Sequence, residues 1–158
     1  MKGGYSWTEL VEISIGIEKK GERFYRAAAD DFDQGDIREV LGGLSEDERR
    51  HAEVFRGLLP EREETRGIGI DEAMPYIEAL VSSGVGSYLE TDDLRADGGE
   101  TLEQVLDFAL GFEKETILFY HSLRDLVVGE AESALDGILA EERKHIERIN
   151  ALRSRLGD

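Results

Sequence analysis

Asp47-Glu48-Arg49-Arg50-His51 and Glu141-Glu142-Arg143-Lys144-His145 are two versions of one motif, 94 residues apart. A second pair accompanies them: Glu18-Lys-Lys-Gly-Glu-Arg-Phe-Tyr25 and Glu113-Lys-Glu-Thr-Ile-Leu-Phe-Tyr120 are 95 residues apart. The chain therefore reads as one helical hairpin written twice, each copy contributing a glutamate and then a Glu-x-x-His. Positions i and i+3 share a helix face, so the Glu and His of each motif can address one point. A single Glu-x-x-His on an acidic helix is a weak signal. Two at matching offsets from an earlier glutamate are a strong one, and they use two of the three histidines in the chain.

The surroundings of these motifs have helical period. Ser6-Trp7-Thr8-Glu9 and Thr101-Leu102-Glu103-Gln104 both have the form of a capping box. A first helix runs from there to about Asp30, with Asp33-Gln34-Gly35 as a turn. A second starts near Asp36 and stops at Leu59, before Pro60. A third reaches Val128, where Gly129 breaks it, and a fourth runs from about Glu130 to Leu156. At alternating spacings of four and three, helix 1 aligns Trp7, Val11, Ser14, Glu18, Gly21, Tyr25, Ala28 and Phe32. Helix 2 aligns Ile37, Leu41, Leu44, Glu48, His51, Phe55 and Leu58. The other two helices repeat the pattern around Glu113 and around Glu142 with His145. These are the seams of an all-α, antiparallel four-helix bundle. Residues 60–100, rich in Gly and Ser, form a long crossover between helices 2 and 3, with a short helix expected from Asp71 to Val81. A connection of this length can also let helix pairs exchange between two chains, so a homodimer, helix-swapped or not, is the expected assembly.

Each seam is interrupted near its centre by glutamate. Folding brings together Glu18, Glu48, Glu113 and Glu142 with His51 and His145. Four unpaired carboxylates in a core would be prohibitive. Two divalent cations carry the compensating charge, carboxylates can bridge them, and each imidazole can cap one. An oxygen-rich set with two imidazoles suits iron or manganese rather than structural zinc. The expected cofactor is two iron ions, with manganese as the alternative. Tyr25 and Tyr120 fall two turns beyond Glu18 and Glu113 on the same face. Each is either a hydroxyl bonded to a ligand carboxylate, with a role in proton or redox chemistry, or a core tyrosine satisfied locally. Glu22 reads as a spare ligand, a proton relay or an exposed residue. Gly21 and Thr116 are small residues one turn beyond Glu18 and Glu113. They either leave room for water, O2 or peroxide, or serve close helix packing. His121 lacks the motif and reads as a surface residue.

Composition narrows the function classes. The 158 residues carry 19 Lys+Arg against 36 Asp+Glu, a net charge of −17. That charge repels phosphate backbones and anionic lipid, so neither nucleic acid nor a membrane surface is an expected partner. The absence of cysteine excludes disulfides, zinc fingers, iron–sulfur clusters and thiol catalysis. The N-terminal residues lack the apolar stretch of a secretion signal, and no window is apolar enough to span a bilayer, so a single cytoplasmic domain over 1–158 is expected.

Over 6–59 and 100–157 the chain resembles the rubrerythrin branch of the ferritin-like superfamily, through Glu18 to Tyr25, Glu48-x-x-His51, Glu113 to Tyr120 and Glu142-x-x-His145. The resemblance implies a ferritin-like bundle in which Glu18 and Glu113 are terminal ligands, Glu48 and Glu142 bridge, and His51 and His145 each hold one iron. It implies reduction of hydrogen peroxide at a di-iron site, or reaction with O2, and relatives oxidise or store iron. Two departures stand out. The family's further glutamate, one turn beyond the helix-3 ligand, is replaced by Thr116, a position whose loss only Glu22 from the opposite helix could make good. The family's rubredoxin domain is missing, so electrons must come from an external electron-donor protein. The leading expectation is a non-haem di-iron oxidoreductase acting on peroxide or O2. The alternatives are a ferroxidase or iron-handling protein, and a non-catalytic metal-binding bundle.

Overall fold

The computed structural model describes residues 4–32, 34–59, 70–90 and 100–156. Six helices follow one another: α1 (Trp7–Asp31), α2 (Gly35–Arg56), α3 (Ile70–Ser83), α4 (Val85–Glu90), α5 (Leu102–Arg124) and α6 (Glu130–Leu156). The long ones begin as the sequence requires. Ser6 Oγ accepts the Glu9 N–H at 3.1 Å while Glu9 Oε1 accepts the Ser6 N–H at 3.0 Å. Thr101 and Gln104 make the same reciprocal pair at 3.1 and 2.8 Å. Each box satisfies two donors that a helix start leaves without a partner.

Two helix ends fall earlier than expected, while α1 and α6 end within a residue of the expected positions. The second helix closes at Arg56, where the Gly57 N–H turns back to the Glu53 and Phe55 carbonyls, and not at Leu59. Pro60 lies outside the described residues, as do Asp33 and most of the residues flanking α3 and α4. The third of the expected helices ends at Arg124 instead of Val128, because the Asp125 N–H closes a tight turn on His121 and Leu123. Gly129 then takes φ +73°, a left-handed conformation that glycine adopts without steric cost, and delivers the chain into α6. The crossover holds the expected helix, longer by a residue or two at each end, and a short second helix, α4, which was not expected. The two meet so closely that a Cβ on Gly86 would lie 1.4 Å from the Val81 carbonyl oxygen.

The heaviest packing is α1 on α2 and α5 on α6, the two hairpins of the duplication; α3 and α4 lie against α5, and α4 also touches α1. The seam reading holds through the middle of each helix, while its end positions Trp7, Phe32 and Leu58 are partly buried and Leu156 is exposed. Val11, Glu18, Tyr25 and Ala28 of α1, Ile37 to Phe55 of α2, Leu106 to Leu123 of α5 and Leu135 to Leu152 of α6 are buried at the expected positions. The apolar core falls into two clusters. One holds Leu10, Ile17, Phe55, Phe119, Leu123 and Leu135 with Ile77 and Val85 from the crossover. The other holds Phe24, Ala28, Leu41, Leu44, Leu106 and Ile149. Between them lies a layer of buried polar side chains. Among the described residues no helix is long and apolar enough to cross a membrane.

Candidate metal centre

The layer between the clusters consists of Glu18, Glu48, His51, Glu113, Glu142 and His145, none more than 2% exposed. Their ligating atoms form two groups within 4.8 Å: Glu18, Glu48, His51 and Glu142, and Glu48, Glu113, Glu142 and His145. Glu48 and Glu142 belong to both groups, and each remaining residue to one. All six predicted ligands are thus brought together, with the two carboxylates of the Glu-x-x-His motifs in the shared positions.

The imidazoles point Nδ1 inward. His51 Nδ1 lies 3.0 Å from Glu142 Oε1 and 3.5 Å from Glu18 Oε2. His145 Nδ1 lies 3.0 Å from Glu142 Oε2, 3.3 Å from Glu48 Oε1 and 3.4 Å from Glu113 Oε1. Several of these atoms lack any hydrogen-bond partner among the described residues: Glu18 Oε2, Glu48 Oε1, Glu113 Oε2, Glu142 Oε2 and His145 Nδ1. Buried polar atoms without partners are rare and costly. Here they converge, and they are the oxygen and nitrogen donors that a pair of divalent ions would take. The residues present fit the group.

The titration of the site has the same cause. Burial raises the Glu48 carboxyl well above the usual range, and Glu142, Glu18 and Glu113 push it further. Burial, then Glu142, lifts Glu113 to about 8 against the opposing pull of His145. Burial alone would depress the imidazoles, but contacts with Glu142 and Glu18 lift His51 to about 11, and contacts with Glu113 and Glu142 lift His145 to about 10. Without cations, protons hold the cluster together; ligation requires that they leave.

Each tyrosine reaches across the bundle to the other half's glutamate that belongs to one group alone. The Tyr25 hydroxyl donates to Glu113 Oε1 at 2.6 Å, and the Tyr120 hydroxyl donates to Glu18 Oε1 at 2.7 Å. Burial, reinforced by Glu113 for Tyr25 and by Glu18 for Tyr120, raises both phenols well above their ordinary value, so both stay neutral donors. Of the two readings of these tyrosines, the structure has the bond to a carboxylate of the buried cluster and not a local partner. Glu22 stands apart: its Oε2 takes the Arg26 guanidinium at 2.9 Å, and it belongs to neither group of ligating atoms. Gly21 serves close packing. A Cβ there would come within 3.2 Å of Cγ and Cδ of Glu48. Thr116 is buried and returns its hydroxyl to the Phe112 carbonyl at 2.8 Å. His121 is exposed.

Sequence reasoning missed the outer face of the site. Asp47 Oδ2 lies 3.1 Å from His145 Nε2, and Glu141 Oε2 lies 2.5 Å from His51 Nε2. The carboxylate preceding each Glu-x-x-His thus holds the imidazole of the other motif. With Nδ1 turned inward, each outward Nε2–H is a donor, the arrangement that fixes a ligand's tautomer and ring orientation. Partial burial raises both carboxyls, but His145 and Arg50 hold Asp47 below its usual range, and Arg50 and His51 do so for Glu141. The signal was present in the duplication itself, which repeats an acid at 47 and at 141.

The family model for rubrerythrin matches residues 9–153. Among solved structures, a crystal structure from Thermotoga maritima, described as a ferritin-like diiron-carboxylate protein, is 26% identical to this chain. It matches with a TM-score of 0.69 and covers 98% of each chain. No match is found among curated proteins. With the sequence motifs, the ferritin-like bundle and the family model in agreement, the chain belongs to the rubrerythrin family.

Proposed function

We propose that the protein reduces hydrogen peroxide at a pair of iron ions held by Glu18, Glu48, His51, Glu113, Glu142 and His145. The observation that carries the reading is the paired donor set, in which Glu48 and Glu142 serve both groups and a tyrosine hydroxyl rests on each remaining carboxylate. When bound, reduced iron supplies the two electrons that cleave the O–O bond. The balance is one peroxide, two electrons and two protons to two waters, with the electrons returned by an external one-electron donor protein. Glu18 and Glu113 fix the two ends of the site. The hydroxyl oxygens of Tyr25 and Tyr120 lie 2.6 and 2.7 Å from carboxylate oxygens of Glu113 and Glu18, within reach of proton transfer. The two apolar clusters close the layer from above and below, which strengthens the charge interactions within it.

A second reading, oxidation or handling of Fe(II), is favoured by one observation. Thr116 brings no carboxylate to the centre, and Glu22 is turned to Arg26, so among the described residues nothing replaces the acid that the family carries there. Stopped-flow reoxidation of the anaerobic, iron-loaded protein separates the two. Peroxide is expected to oxidise it far faster than O2. Equal or reversed rates, with more than two irons taken up per chain under excess Fe(II), would establish the second reading instead.

A further inference from the structure

The two halves of the duplication match at the ligands and at the carboxylates behind the imidazoles, but not at the cations that hold those carboxylates. Arg50 reaches both. Its Nη1 donates to Glu141 Oε2 at 3.2 Å, and its Nη2 donates to Glu141 Oε1 at 3.1 Å and to Asp47 Oδ1 at 3.0 Å. Glu141 in turn holds His51, and Asp47 holds His145. One guanidinium therefore stands at the head of both imidazole-orienting contacts. Its counterpart in the second half, Lys144, is exposed and makes no hydrogen bond or ion pair among the described residues. Arg148, which adds a contact to Asp47 at 3.1 Å, has Val54 as its counterpart.

We propose that Arg50 is a positioning residue that ties the two metal-ligating imidazoles together, so that both metal positions depend on it, the His145 position sharing that support with Arg148. The inference rests on the reading of the buried layer as a metal centre, not on the identity of the oxidant. A planar fork can grip one carboxylate with two N–H groups and share one of them with a second; an ammonium cannot reproduce that geometry. Arg50 is about half exposed, and solvent-exposed ion pairs contribute little to stability. Its loss should therefore show in the metal centre and not in the fold.

The test compares Arg50→Gln, Arg50→Lys and the matched control Lys144→Gln in cobalt(II) titrations of the full chain. Melting curves of the metal-free proteins accompany them. Outer-shell partners of metal ligands are typically worth about 10- to 100-fold in affinity. Arg50 touches those partners and not the ligands, so the expectation is a loss of at most that size at both binding steps in Arg50→Gln, incomplete recovery in Arg50→Lys, and wild-type behaviour in Lys144→Gln. Melting temperatures should stay at the wild-type value. In metal-free wild type, both outward Nε2–H protons should resist solvent exchange by nitrogen-15 NMR, and both should lose that protection in Arg50→Gln. Weakening of one step only, full recovery in Arg50→Lys, or unchanged exchange at either histidine would overturn the proposal. Failure of wild type to bind cobalt would overturn the metal reading beneath it, and a slow reaction with peroxide would touch neither.

Discussion

A Cβ placed on Gly21 would sit 3.2 Å from Cγ and Cδ of Glu48 and 3.3 Å from the Phe112 ring. The small residue that could have opened a space for a substrate is instead what lets α1 approach a shared carboxylate. Gly21→Ala should leave the helix intact, since alanine is the better helix former, yet push Glu48 by a few tenths of an ångström. The expected outcome is a folded protein whose cobalt affinity falls about tenfold or more, read by titration. At the same scale, His51→Ala combined with His145→Ala should abolish metal binding, leaving each group with carboxylates alone. Tyr25→Phe and Tyr120→Phe should keep the metals. If the hydroxyls deliver protons, the double variant should slow peroxide-driven reoxidation about a hundredfold, with binding of iron unchanged. The convergence of the six Glu and His side chains was legible beforehand, because each lies on a buried seam. The carboxylates at 47 and 141 escaped notice because they lie off the seam. Their partner is the imidazole across the bundle, and only the folded structure shows which residue faces which.

Among the elements, the starts of α1 and α5 were readable to the residue, since a capping box is a local contract between four consecutive positions. The ends of α2 and α5 were not. Gly57 and Asp125 close their helices by N–H groups turned back to Glu53 and Phe55 and to His121 and Leu123, and such ends shift readily by a residue or two. Nor was α4 legible: six residues are too few for a period to appear, and its start depends on Gly86 lying against Val81. The cap makes a prediction at this scale. Thr101→Ala removes the hydroxyl that accepts the Gln104 N–H and should cost about 1 kcal/mol in chemical denaturation, without altering metal stoichiometry.

For the whole molecule, the buried layer makes stability depend on pH and on metal in opposite ways. Glu113, at about 8, and the imidazoles, at about 11 and 10, all hold protons more tightly folded than unfolded. A raised folded value contributes stability that is complete below the unfolded value and is lost as pH rises through the folded one. The metal-free protein should therefore lose stability from about pH 5 upward, through the carboxylate first and the imidazoles later. Ligation needs those protons gone, so metal affinity should rise over the same range. Thermal melts between pH 5.5 and 9 should show the melting temperature of the metal-free protein falling. With saturating metal the curve should flatten or reverse. A metal-free protein that grows more stable toward pH 9 would show that the layer is not held together by protons.

Anomalous diffraction from crystals of the iron-loaded protein, recorded on both sides of the iron edge, puts the central claim to its most direct test. Two peaks per chain are expected. Each should lie against one inward Nδ1, of His51 or His145, and both should lie within bonding distance of Glu48 and Glu142. Crystals of iron-treated protein with no anomalous density in this layer, or with iron held only by surface acids, would contradict the account.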